Sequence, residues 1–180
     1  LDDVNYLLGA HLAMMCKTGE VCIYPGGVLC TTKLDVRLKG KPAHPTMSPQ
    51  LGRNALACAC TIVSELLGMA RHGNGLGCIN VGLMQAGECR NVIPVHASIQ
   101  LEVRGETAEI NDFMVDQANR IVKGTALAYD VEYEVEKVGE AGELLNDPEL
   151  ADLVKEVSEK VPSCRKVIDH KKLGCSEDFT

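Results

Sequence analysis

At 180 residues and 46% hydrophobic content, the chain is long enough for one substantial domain, or a small domain with pieces of another. Its formal net charge of -7 argues against a general nucleic-acid binder and a polybasic membrane anchor, and no apolar run approaches the ~20 residues needed to cross a bilayer. With aromatics at 3% and no Trp, the core must be aliphatic.

Residues 1–32 hold short apolar segments broken by Gly9, Gly19 and Pro25-Gly26-Gly27. The opening Leu1-Asp2-Asp3 has no basic segment followed by an apolar run, so no signal peptide is read there. It has no initiator Met either, and the natural start is expected to lie elsewhere. Residues 33–39 alternate strictly, with Leu34, Val36 and Leu38 on one face and charges on the other, which predicts a half-buried strand. Ser48-Pro49 reads as a helix start, with Leu51, Ala55, Leu56, Ala59, Ile62, Val63, Leu66, Leu67 and Ala70 at helical spacing up to Arg71-His72-Gly73. A second strand, 78–84, alternates Ile79, Val81 and Leu83. After a connection ending at Pro94, a third strand over 95–104 puts Val95, Ala97, Ile99, Leu101 and Val103 on one face. His96, Ser98, Gln100, Glu102 and Arg104 take the other.

Thr107 caps a second helix striped by Ile110, Phe113, Met114, Ala118, Ile121 and Val122. Gly124 weakens its end by about 1 kcal/mol relative to Ala. A fourth strand, 131–138, sets Val131, Tyr133 and Val135 against Glu132, Glu134 and Glu136, the latter read as a solvated face. Asp147-Pro148 opens a further helix carrying Leu150, Leu153, Val154 and Val157, and Lys166-Val167-Ile168 reads as a short strand.

Strand, helix, strand, strand, helix, strand is the ferredoxin-like βαββαβ order, expected over 33–138 within an α+β (α/β) chain. One-sided strands require a four-stranded antiparallel sheet with both helices on one face and the other face open, where Arg104 would sit. The flanks 1–32 and 139–180 fall outside this unit. Strand 78–84 should lie at a sheet edge, apolar enough to pair across a two-fold axis beside helix 49–71, so a homodimer is expected.

The nine cysteines are odd in number and contain no Cys-x-x-Cys, which disfavours a disulfide scaffold or a structural zinc cluster. Free thiols in a reducing cytoplasm are the simpler reading.

Four motifs carry more specific information: Gly40-Lys41-Pro42-Ala43-His44-Pro45, Gly52-Arg53-Asn54-Ala55-Leu56, Arg90-Asn91-Val92-Ile93-Pro94 and Glu102-Val103-Arg104-Gly105-Glu106-Thr107. With Gly9-Ala10-His11-Leu12 and Ser176-Glu177-Asp178-Phe179, the chain resembles the co-catalytic zinc peptidases and amidohydrolases. That family includes aminoacylase, carboxypeptidase G, succinyl-diaminopimelate desuccinylase and the plant auxin-conjugate hydrolases. The p-aminobenzoyl-glutamate hydrolase branch looks most similar.

The resemblance implies a ferredoxin-like lid and dimerisation domain inserted into an α/β metal-binding domain, with 1–32 and 139–180 as pieces of the latter. It implies two zinc or manganese ions that lower the pKa of a bridging water, and substrates that are N-acyl or N-aroyl amino acids. His11 falls at a metal-ligand position of the family; the bland alternative is a surface or core His. His44 matches the lid His that reaches a partner's active site to hold the oxyanion; the alternative is a turn-capping His between two prolines. Asn91 and Arg104 match positions that clamp the substrate carboxylate, where a guanidinium fork gives two parallel hydrogen bonds. The alternatives are a turn residue for Asn91 and a surface pair with Glu102 or Glu106 for Arg104. Arg53 and Asn54 read as structural.

An adjacent catalytic Glu-Glu pair and the remaining metal ligands do not appear. The chain is therefore expected to be a fragment of a longer enzyme, inactive by itself and holding no metal of its own. A stand-alone, non-catalytic dimerisation or regulatory module is the competing reading; the His11 and Ser176–Phe179 elements, which belong to the catalytic domain, argue against it.

Overall fold

The computed structural model describes residues 3–12, 16–24, 26–169, 174 and 176. Its elements, in chain order, are β1 (Glu20–Ile23), β2 (Gly26–Val28), β3 (Cys30–Lys39), a 3-10 turn (Pro49–Leu51), α1 (Ala55–Leu67), β4 (Gly77–Ala86), β5 (His96–Gly105), α2 (Ala108–Tyr129), β6 (Glu132–Ala141), β7 (Leu144–Leu145), α3 (Pro148–Glu159) and β8 (Lys166–Asp169). They form two compact units, Leu29–Glu143 and Leu1–Val28 with Leu144–Thr180.

In the first unit, β3, β4, β5 and β6 make one antiparallel sheet in the order β4-β5-β3-β6. This is the βαββαβ arrangement expected from the hydrophobic pattern, with β4 at an edge. Leu34, Val36 and Leu38 of β3 join Ala97, Ile99, Leu101 and Val103 of β5 on the helix-covered face. Ala55, Cys58, Ala59, Ile62 and Leu66 of α1 and Ile110, Met114, Ala118, Val122 and Ala126 of α2 close the core over them. The core is aliphatic, as the composition required. On the other face, Arg37 pairs with Glu136 at 2.7 Å and Glu134 at 3.3 Å, and Lys39 with Glu132 at 3.7 Å. The three glutamates of β6 form the exposed, solvated row read from the sequence, and there they complement the cations of β3.

Several elements differ from the sequence reading, each for a local reason. Residues 49–71 are not one helix. Ser48 makes no side-chain cap, and the 3-10 turn ends at Gly52 in extended conformation. Arg53 then forms a β-bridge with Lys41, and α1 begins only after Asn54, whose side chain accepts from Ala57 N at 2.9 Å. Gly68 closes that helix.

Strand β3 starts at Cys30 rather than Lys33, because Thr31 and Thr32 continue the ladder to Arg104 and Val103. In β4 the register shifts between Val81 and Leu83, so Leu83 opposes Gln100 and Met84 opposes Ile99. The bulge reverses the alternation, and Leu83 leaves the core face and is exposed. Strand β6 runs to Ala141, past a shift opposite Lys33/Leu34. Helix α2, by contrast, runs through Gly124 to Tyr129, because Val122, Thr125 and Ala126 on either side of it are buried. Tertiary packing overrides the local propensity.

The second unit pairs β1 with β8 in parallel and β2 with β7 antiparallel. Helix α3 starts as its sequence predicts, with Asp147 accepting from Leu150 N at 2.9 Å and Pro148 in the first turn. His11 lies here in an exposed stretch without regular structure. Glu177, Asp178 and Phe179 lie outside the described residues.

Candidate functional site

The sheet register decides which candidate residues meet. Lys39 opposes His96 across β3 and β5, so the strap after β3 and the connection before β5 share one end of the sheet. The strap carries His44 and the connection carries Asn91. Backbone bonds stitch them together: Gly40 N to Val95 O at 2.7 Å, Ile93 N to Ala43 O at 3.1 Å and Ala55 N to Pro94 O at 3.1 Å.

Most of the motif residues are explained by this stitching. A Cβ on Gly40 would sit 2.0 Å from Arg53 O, and one on Gly52 would sit 2.4 Å from Ile93 Cδ1. Neither glycine has a positive φ, so close approach alone selects them. Arg53 donates through Nη1 to Gly52 O at 2.9 Å and pairs through Nε with Asp130. Asp130 is the left-handed residue, at φ 53, that closes α2. Arg53 and Asn54 therefore serve structure, which leaves His44 and Asn91 as exposed members of their motifs.

His44 is a turn-capping residue, and the capping gives it a definite chemistry. Its Nδ1 accepts from Thr46 N at 3.2 Å and Met47 N at 3.1 Å. A nitrogen that accepts carries no proton, so in the neutral ring the hydrogen is on Nε2. The exposed side chain therefore presents an N–H donor held by a backbone turn. That is the donor an oxyanion requires.

Arg104 stands at the other end of β5, opposite Thr31 of β3 and Cys78 of β4. It is part-buried on the open face and pairs with Glu102 through Nε. Its neighbours in the motif have structural roles. A Cβ on Gly105 would lie 2.3 Å from Asn111 N, so Gly lets α2 approach. Glu106 accepts from Leu76 N at 2.9 Å, which ties the start of β4 to the end of β5. Arg104 lies eight positions beyond His96, a span of about 27 Å along an antiparallel strand. One chain thus places the His44 strap and the Asn91 connection at one end of the sheet and Arg104 at the other.

Sequence reasoning missed the charged groups that fix this end of the sheet. Glu88 accepts from Val95 N at 3.2 Å and His96 N at 3.0 Å, and meets His96 Nδ1 at 2.9 Å. The Val95 N–H, followed by the His96 bonds, holds the Glu88 carboxyl below the usual carboxylate range. The only signal available was an acidic residue in a hairpin connection, which periodicity does not read. Among the described residues, no three His, Cys, Asp or Glu side chains lie close enough to hold a metal ion.

Comparison with known proteins agrees with this architecture. Residues 31–130 match the peptidase dimerisation domain family. The whole chain is 47% identical to a p-aminobenzoyl-glutamate hydrolase homolog of Haemophilus influenzae, covering 43% of that protein. Indole-3-acetyl-aspartic acid hydrolase of Enterobacter agglomerans is 34% identical over 94% of the chain, which covers 39% of it. The crystal structure of the aminobenzoyl-glutamate utilization protein from Klebsiella pneumoniae superposes with a TM-score of 0.84 at 34% identity, over 94% of this chain and 44% of that one. The chain therefore spans less than half the length of these relatives.

Proposed function

Because the chain belongs to the peptidase dimerisation domain family and its relatives are amidohydrolases, we propose that it is the lid and dimerisation part, with flanking catalytic-domain segments, of a metal-dependent amidohydrolase. The substrates are N-acyl or N-aroyl amino acids of the p-aminobenzoyl-glutamate type. The 47% identity to one such relative over all 180 residues is the observation that carries this reading. The metal would be a pair of zinc or manganese ions, with His11 as one ligand. The described residues alone do not make such a site, so the steps assigned here are those of this chain's own side chains.

The separation of Arg104 from His44 and Asn91 shapes the mechanism. A substrate the size of an acylated amino acid cannot bridge about 27 Å of strand. All three residues touch one substrate only if two chains supply them. In the proposed dimer, one subunit offers the Arg104 guanidinium to the substrate carboxylate. The partner's strap brings the His44 Nε2–H to the oxygen that becomes negative, with Asn91 beside it. The expectation that Arg104 and Asn91 grip the carboxylate together thus becomes a division of labour across the two-fold axis.

The proposed interface is the outer edge of β4 with the neighbouring α1, where Leu83, Met84 and Leu67 are exposed. The bulge at Gly82 is what turns Leu83 outward. A test of the activity is release of the amino acid from an N-aroyl conjugate by the full-length product of the source gene, with and without chelator. Chelator-sensitive release supports the reading; a metal-independent or inert full-length product contradicts it.

A further inference from the structure

The connection that carries Asn91 is tied down more firmly than its exposure suggests. Beyond the last β4–β5 pair, Ala86 with Ala97, residues 87–95 would form a flexible nine-residue loop. Gly87, at φ 87, turns the chain so that Glu88 points back across the loop's mouth. Its two carboxylate oxygens then bind the far end: one accepts from Val95 N at 3.2 Å, and the other from His96 N at 3.0 Å and meets His96 Nδ1 at 2.9 Å. Gly87 N donates to His96 O at 3.2 Å alongside. The same far end holds the His44 strap through Val95 O to Gly40 N at 2.7 Å, and Ile93 N to Ala43 O at 3.1 Å.

From this geometry we infer that Glu88 and His96 form a clasp that fixes the Asn91 turn against the His44 strap, making Glu88 a positioning residue for Asn91. A charged acceptor satisfied by three donors is stronger and more directional than a neutral turn. A clasp at the base of a loop removes most of the loop's freedom without touching its tip, where Asn91 stays exposed. The inference rests on the reading of Asn91 as a substrate contact, and its test separates the two.

Glu88→Gln keeps the shape but removes the charge and puts an amide N–H₂ where a donor already points. Two measurements follow. In the 180-residue chain, hydrogen exchange at the Val95, His96 and Ile93 amides is expected to quicken roughly tenfold, with Val36 and Ile99 unchanged. In the full-length enzyme, Glu88→Gln and Asn91→Ala each lower kcat/KM, and the double variant falls no further than Asn91→Ala alone. Unchanged exchange at Val95 and His96, or fully additive kinetic losses, overturns the clasp. If Asn91→Ala leaves the kinetics intact, the reading of Asn91 fails, and the exchange data still decide the clasp.

Discussion

Replacing Gly40 with Ala isolates what holds the His44 strap. Gly40 does not need a left-handed backbone, so the added methyl acts through contact alone. Its Cβ would stand 2.0 Å from Arg53 O, 3.0 Å from Arg53 C and 3.2 Å from Ala55 N. All three are backbone atoms, so no flexible side-chain end can swing aside. The strap must separate from Arg53, breaking Lys41 N to Arg53 O at 3.0 Å and Arg53 N to Lys41 O at 2.9 Å. At about 0.5–1.5 kcal/mol per hydrogen bond, Gly40→Ala should destabilise the chain by about 1–3 kcal/mol. For a unit of this size that is a drop of roughly 4–12 °C in Tm. Thermal unfolding followed by circular dichroism reads the stability, and hydrogen exchange at Lys41 and Arg53 reads the strap. Wild-type stability with both amides still protected would refute the close-contact account of this motif.

Other expectations follow from the same structure. Gly124→Ala should act in the opposite direction: Gly124 is an exposed position of α2 and its Cβ meets nothing within 4 Å, so about 0.4–1 kcal/mol of stabilisation is expected in denaturant unfolding. Burial pushes the Cys58 thiol up to about 11, while Cys60 is exposed. A thiol reagent at pH 8 should therefore label Cys60 in the native chain and Cys58 only on unfolding, as mass spectrometry of the labelled peptides would show. Glu88 is held below its ordinary value of 4.5. Its contribution to stability is therefore complete above that value and lost as pH falls through the lower folded value; an acid unfolding series should show a shallower slope there in Glu88→Gln than in wild type.

The framework of the βαββαβ unit was legible because its strands are one-sided. Leu34-x-Val36-x-Leu38 and Ala97-x-Ile99-x-Leu101-x-Val103 state both the strand and the buried face, and the helical stripes supply what covers it. What escaped was set by contacts distant in sequence. Nothing near Ser48-Pro49 reveals that Arg53 will bridge to Lys41 and delay the helix to Ala55. The Gly82 bulge is hidden because Leu83 continues the alternation in sequence while leaving it in space. Gly124 left the end of α2 unfixed because propensity is local, whereas the burial of Val122 and Ala126 is not. The site showed the same division. The motifs named His44, Asn91 and Arg104 as candidates, but only the strand register shows that Arg104 lies about 27 Å along β5 from His96, at the opposite end of the sheet from the strap and connection that carry the other two.

That separation makes subunit complementation the most direct test of the proposed shared site. His44→Ala and Arg104→Ala would be made in the full-length product, each purified as an inactive homodimer, then mixed under conditions that exchange subunits. If His44 and Arg104 serve one substrate from different subunits, about half of the dimers are mixed, each mixed dimer has one intact site, and activity should return to about a quarter of wild type. If both residues act within one subunit, every site in the mixture carries a lesion. Activity then stays at the level of the parents, contradicting the division of the site between two chains.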